Sequence, residues 1–395
     1  MQGFVRSFTA ASLEDYISLV RFINEDNRIK LQKKLDAQAQ AHNGGKRVEE
    51  SQMGEEVSST EGERARDINY LWFRGVKHQN YNLIPTLFRE KEDVQGAYSI
   101  LRLNEDYRYQ HFRAKCNQLI ERTPDSRIEW MEVMQHYCAN TRLMDWSESA
   151  ITALLFALEY FIQPGNDKGL QYNRATSTPT VWVLNPFELN SRLYDALAGN
   201  QDLIRKGIED IIPIGIDKTE KEAFINKVVD DIVNGKDRFW GVQNKRFIQG
   251  IVCLSVLESE REAAVNRIYY MIKNNEFNPF LYLLLRFYND GLPIGMKALP
   301  PLAIVHPYHS PRIKAQKGVF TVSPYYLIGK DKVNGSEDYR PMEYQPNIAD
   351  CIYKIRILRP YFVAKELLLI GERKSSIYPE MENYANDLEA MEYMI

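Results

Sequence analysis

Apolar residues recur at helical spacing directly after Ser12, at Leu13, Tyr16, Ile17, Val20 and Ile23. Ser12 followed by Asp15 approximates a capping box, so a helix is expected to begin there. The pattern stops near residue 42. Residues 42–67 hold Gly44-Gly45, Ser58-Ser59-Thr60 and many Glu and Arg, with almost no apolar side chains. Such a stretch buries too little surface to offset its ordering entropy and reads as a flexible linker. Apolar character resumes in a β-rich run, Ile68-Asn69-Tyr70-Leu71-Trp72-Phe73, which ends at Arg74-Gly75. Helices are predicted over 101–122 and 129–137, a short strand over 141–146, and a strongly apolar helix over 150–161. Residues 180–184 read as a buried strand, and Pro186 suits the first position of another helix. Between 190 and 288 charged and apolar residues alternate at helical spacing, most clearly over 219–233 and 258–273. Thr219 and Glu222 stand at capping-box spacing for the first of these. Strands are expected at 302–306, 319–322 and 352–358, and two closing helices at 361–369 and 379–392.

Strands interleaved with helices argue an α+β fold. The expected architecture is a mixed β-sheet core with flanking helices, a central helical insertion at about 190–290 and an N-terminal helix. The expected division is an N-terminal helical segment over 1–40, a linker over 41–67 and one domain over 68–395. Limited proteolysis is then expected to cut the linker first.

Composition narrows the class. The chain has 395 residues and a formal net charge of −3, so no global basic field draws it to nucleic acid or anionic membrane. Its four cysteines, Cys116, Cys138, Cys253 and Cys351, form no C-x-x-C pair and read as reduced thiols. The opening MQGFVRSFTA has no apolar core of a secretory signal. The most apolar stretch, 150–161, is interrupted by Glu159 and is too short to span a bilayer. A cytoplasmic protein without a membrane partner is expected.

Several residues carry chemistry. Arg74 closes a β run beside a glycine and can fork two hydrogen bonds onto a phosphate or carboxylate. Equally, it can pair with a carboxylate such as Asp145. Gln135-His136-Tyr137 puts an amide, an imidazole and a phenol together. His136 suits a general base or a ribose ligand, or a satisfied structural histidine. Arg142, Asp145, Ser147 and Glu148 precede the apolar helix. Arg142 is expected to pair with Asp145 or Glu148, and Ser147 or Ser149 to cap the helix. Trp146 can stack on a flat ring or pack. His306-x-x-His309 lacks further metal ligands nearby, so no metal site is expected. Arg74, His136, Arg142, Asp145 and Gln316 are expected to converge on one pocket.

Four segments in order resemble the FRG family, named for its Phe-Arg-Gly signature. They are Trp72-Phe73-Arg74-Gly75 with 83–89; Gln135-His136-Tyr137 with 141–146 and 153–157; Arg312 with 315–321; and Ile377-Tyr378-Pro379-Glu380. The chain more distantly resembles ADP-ribosyltransferase-like domains. That resemblance implies NAD as substrate, with Arg74 on its phosphate and Gly75, Tyr137, Arg142, Trp146 and Gln316 lining the ligand. It also implies His136, Asp145 and Glu148 as catalytic groups, and a bacterial toxin or phage-defence effector as the setting. Gly318 stands where those transferases carry a catalytic Glu, leaving Glu132, Asp145 and Glu148 as substitutes. The other reading is a non-enzymatic domain recognising a nucleotide, a nucleic-acid end or an acidic protein segment through Arg74, Arg89, Arg142 and Arg312. The carboxylate spacing matches no two-metal nuclease.

Overall fold

The computed structural model describes residues 5–43, 71–89, 97–120, 123–124, 127–162, 178–209, 211–234, 268–274, 279–289, 299–305, 310–324 and 341–392. In chain order these form β1 (Arg6–Ala10), α1 (Leu13–Asn43), β2 (Trp72–Val76), α2 (Thr86–Arg89), α3 (Ala97–Cys116) and α4 (Arg127–His136). There follow β3 (Leu143–Ser147), α5 (Ala150–Ile162), β4 (Thr180–Leu184), α6 (Pro186–Ala198), α7 (Gln201–Glu209), α8 (Lys218–Asn234) and α9 (Pro279–Asn289). The chain closes with β5 (Leu302–Ile304), α10 (Pro311–Ala315), β6 (Gly318–Val322), β7 (Ile352–Ile357), α11 (Pro360–Leu369) and α12 (Met381–Glu392). The expected linker from residue 44 onward, most of the expected 258–273 helix, Cys253, His306 and His309 lie outside the described residues.

One seven-stranded sheet has the order β1-β7-β4-β2-β3-β6-β5. β1 runs parallel to β7, whereas β2 is antiparallel to β3 and β4, and β5 to β6. The fold is therefore α+β with a mixed sheet, as the interleaved pattern predicts.

The chain divides into two compact units. One comprises Met1–Val5, Tyr81–Trp146 and Pro186–Ile352; the other comprises Arg6–Asn80, Ser147–Asn185 and Tyr353–Ile395.

In the second unit strand alternation sorts the residues. Phe73, Val181, Val183, Ile355 and Ile357 point into an apolar core with Ala153, Leu154, Ala157 and Leu158 of α5 and Tyr16 and Ile23 of α1. Ser12 caps α1 as expected, its Oγ accepting from the Asp15 amide at 3.1 Å. The Tyr16 hydroxyl donates to the Ala150 carbonyl at 2.8 Å, tying α1 to the start of α5. Ser149, not Ser147, caps α5: its Oγ accepts from the Thr152 amide at 3.2 Å, while Ser147 Oγ accepts from the Ser149 amide. β1 was not legible as a strand. Its residues read exposed–exposed–half-buried–exposed–buried, and only Phe8 and Ala10 face the core.

In the first unit the helical insertion builds its own core. Leu193, Leu197, Ile204, Ile208, Phe224, Val228, Phe280, Leu284 and Phe287 pack with Leu302, Ile304, Phe320 and Val322 of β5 and β6. Helix α8 starts one residue before the expected cap. Asp217 Oδ2 accepts from the Thr219 amide at 2.9 Å, and Glu222 instead lies 3.6 Å from Arg205. Asp217 wins because its carboxylate gains from several N-terminal amides at once, which also hold its carboxyl below the usual range.

Candidate functional site

Within the first unit, α4 buries every residue from Ile128 to Met134. The helix ends where Cys138 adopts a left-handed backbone (φ 61°), letting the Ala139 amide donate to the Met134 carbonyl at 2.9 Å. That turn leaves Gln135 facing the strand that follows. Gln135 Nε2 donates to Asp145 Oδ1 at 2.6 Å, and Gln135 Oε1 accepts from the Thr141 hydroxyl. One amide side chain thus fixes an exposed carboxylate at the centre of β3. Gln135 stands in a recognised motif, but nothing local to it indicates that it would orient Asp145.

Two more carboxyl groups lie on the same helix, Glu129 and Glu132, each 2 % exposed. Burial raises the Glu132 carboxyl well above its ordinary range, and the charges of Glu129 and Asp145 raise it further. Glu132 therefore holds its proton to higher pH than an ordinary carboxyl, while the carboxyl group open to solvent is Asp145. Gln135 and His136 are half-buried, and Tyr137 is exposed. The His136 ring meets the Tyr137 ring edge-on at 5.0 Å.

Arg142 departs from expectation. It is fully buried, and its ion pair is with Glu105. Its Nε donates to Glu105 Oε2 at 3.1 Å and its Nη1 to the Ser323 carbonyl at 3.1 Å. Arg127 joins the pair, 3.4 Å from Glu105 and also bonded to Asp106. Burial pulls the Arg142 guanidinium down to about 10, and Glu105 opposes that shift. Glu105 is the residue the sequence hides: a Glu in the charged helix α3, 37 positions from its partner, has no local signature. Arg142 thus holds α3, β3 and the end of β6 together.

Trp146 is buried, and its indole N–H donates to Thr321 Oγ1 at 3.1 Å, so its site is set by strand-to-strand bonding. Gln316 is half-buried and follows α10, its amide donating to the Arg312 carbonyl at 2.9 Å. Gly318 opens β6, and a Cβ there would meet Ile313 Cγ2 at 3.0 Å. The structure thus brings Gln135, Asp145 and Thr141 together in one unit.

The second unit holds Arg74, Gly75 and Glu148. Arg74 is half-buried in the middle of β2, opposite Trp182 of β4. Gly75 is glycine for a packing reason: a Cβ would stand 1.8 Å from the Ala153 carbonyl oxygen and 2.7 Å from the Ala157 nitrogen. Its close approach is to the backbone of α5. Glu148 is exposed in the bend before α5.

Among the described residues no group of three or more His, Cys, Asp or Glu is arranged to hold a metal ion, and no helix is long and apolar enough to cross a membrane. Residues 69–164 match the model of the FRG domain family. No curated protein and no solved structure matches the chain.

Proposed function

The chain carries an FRG domain, and from that premise we propose that it is an ADP-ribosyltransferase-like protein with NAD as its substrate. The observation that supports this reading is the contrast between Glu132 and Asp145. Transfer of ADP-ribose builds positive charge on the ribose as nicotinamide leaves, and a carboxylate stabilises that charge. Gly318 supplies none. Glu132 is buried, and burial with the charges of Glu129 and Asp145 disfavours its negative form. Asp145 is exposed and held in one orientation by Gln135, which is what such a carboxylate requires. In this reading His136, in the same unit as Asp145, bonds a ribose hydroxyl or moves a proton.

Incubation of the full chain with nicotinamide-labelled NAD tests the proposal. Wild type is expected to release nicotinamide, and Asp145→Asn to slow release by about a hundredfold or more. Binding of NAD without release would favour the second reading, a non-enzymatic nucleotide-recognition domain. That alternative has its own support, because Ile313 crowds the start of β6 and glycine sits there without a carboxylate. Neither binding nor release would remove both readings.

A further inference from the structure

The sheet of the second unit has two faces, and only one is explained by its core. Phe73, Val181, Val183, Ile355 and Ile357 face the apolar side. Alternation puts Arg74, Trp182, Lys354 and Arg356 on the other. Three observations confirm that grouping. Arg74 stands opposite Trp182 in the β2–β4 register. The Lys354 ammonium lies 4.6 Å from the centre of the Trp182 ring. The Ile357 amide donates to the Pro179 carbonyl at 2.8 Å, placing Arg356 beside the start of β4. Across β7, Ser7 and Thr9 pair with Lys354 and Arg356 and are both exposed, so solvent reaches this face from the β1 edge.

Two donors here have no acceptor among the described residues. Trp182 is 3 % exposed, and its indole nitrogen is buried without a hydrogen-bond partner. Arg356 Nε is likewise buried and unpartnered. A buried donor left without an acceptor costs about 1–3 kcal/mol, more when charged, so such groups call for an explanation. The strand residues on this face include no acid. The Lys354 ammonium donates to the Gln79 carbonyl at 2.6 Å. Two unsatisfied donors, one of them on a guanidinium, match a ligand that only accepts hydrogen bonds and carries negative charge.

We propose that this face binds a phosphate-type oxyanion, with the Trp182 indole N–H and the Arg356 guanidinium as its donors. Thr9, exposed and paired with Arg356, lies on the solvent side of this face. The site is independent of any transfer chemistry. Its phosphate is either free or the phosphate of a nucleotide.

The test is titration of the full chain with inorganic phosphate and, separately, with ADP. Binding is followed by calorimetry and by the indole resonance of Trp182, assigned from Trp182→Phe. Saturable binding that moves this resonance is expected. Tighter binding of ADP than of phosphate identifies a nucleotide as the source, and equal binding identifies free phosphate. Trp182→Phe keeps an aromatic ring at this position while removing the N–H, and Arg356→Gln removes the charge. Each is expected to weaken binding by about tenfold or more, the loss of one charge-assisted hydrogen bond. The proposal is overturned if neither ligand binds saturably, or if either variant, with a native circular dichroism spectrum, binds as wild type does. A chain that binds phosphate but releases no nicotinamide from NAD keeps this inference and loses the transferase reading. The reverse result does the opposite.

Discussion

A carboxylic acid enclosed by apolar neighbours and two other carboxyl groups holds its proton to higher pH than it does in the unfolded chain. Glu132 is in that position, against an ordinary value of 4.5. With its folded value raised, the folded state binds the extra proton. The stability Glu132 contributes is present below its unfolded value and lost as pH rises through its folded one. Glu132→Gln keeps the shape and removes the titration. The variant is expected to gain stability relative to wild type as pH rises above about 4.5, read from urea unfolding midpoints across pH 4 to 9. A difference that does not change with pH would show that Glu132 titrates normally. Arg142 and Glu105 make the complementary point. Both are fully buried, and each is tolerable only because the other is there.

At the scale of elements, the close packing of β2 on α5 depends on one missing side chain. The atoms that a Cβ at Gly75 would strike are helix backbone, which cannot rotate aside. Gly75→Ala must therefore push α5 away from β2 and loosen Phe73 and Ala157 in the shared core. Destabilisation of at least about 1–3 kcal/mol is expected, measured by denaturant unfolding. An alanine variant as stable as wild type would mean that the helix shifts freely. The glycine was legible in the sequence as a site of close approach. Its partner was not, because the same signal serves a ligand and a helix equally well. Helix α8 gives a similar lesson. Thr219 and Glu222 have the right spacing, but Asp217 takes the amides, because a carboxylate outcompetes a hydroxyl at the positive end of a helix.

For the whole molecule, the N-terminal segment is part of a core rather than an appendage to one. β1 pairs with β7 over five positions from Arg6↔Tyr353 to Ala10↔Ile357. Tyr16 and Ile23 of α1 are fully buried with Ile355, Ile357 and Val363. Leu13 donates its amide to Glu366 at 2.7 Å. Removing residues 1–43 would strip these partners, open one edge of β7 and expose apolar surface. The truncated chain is expected to aggregate or to lose cooperative unfolding, followed by light scattering and urea titration. A soluble fragment that unfolds cooperatively at the wild-type midpoint would show that β1 and α1 contribute little.

Local periodicity is written in the residues themselves, so the sequence alone determined the apolar helix α5, the buried strand β4, the Ser12 cap and the α+β class. It also marked Arg74, Gln135 and Asp145 as parts of recognisable segments. Which groups those residues would meet depended on chain paths that bring distant segments together, and no local pattern carries that information. Only the tertiary structure decided that Gln135 holds Asp145 and that Arg142 is matched by Glu105. It also decided that β1 is a strand, since an edge strand with one polar face has little apolar signal until its neighbour is known. Burial follows from that same packing; it raises the Glu132 carboxyl above its ordinary range and leaves the Trp182 indole N–H without an acceptor among the described residues.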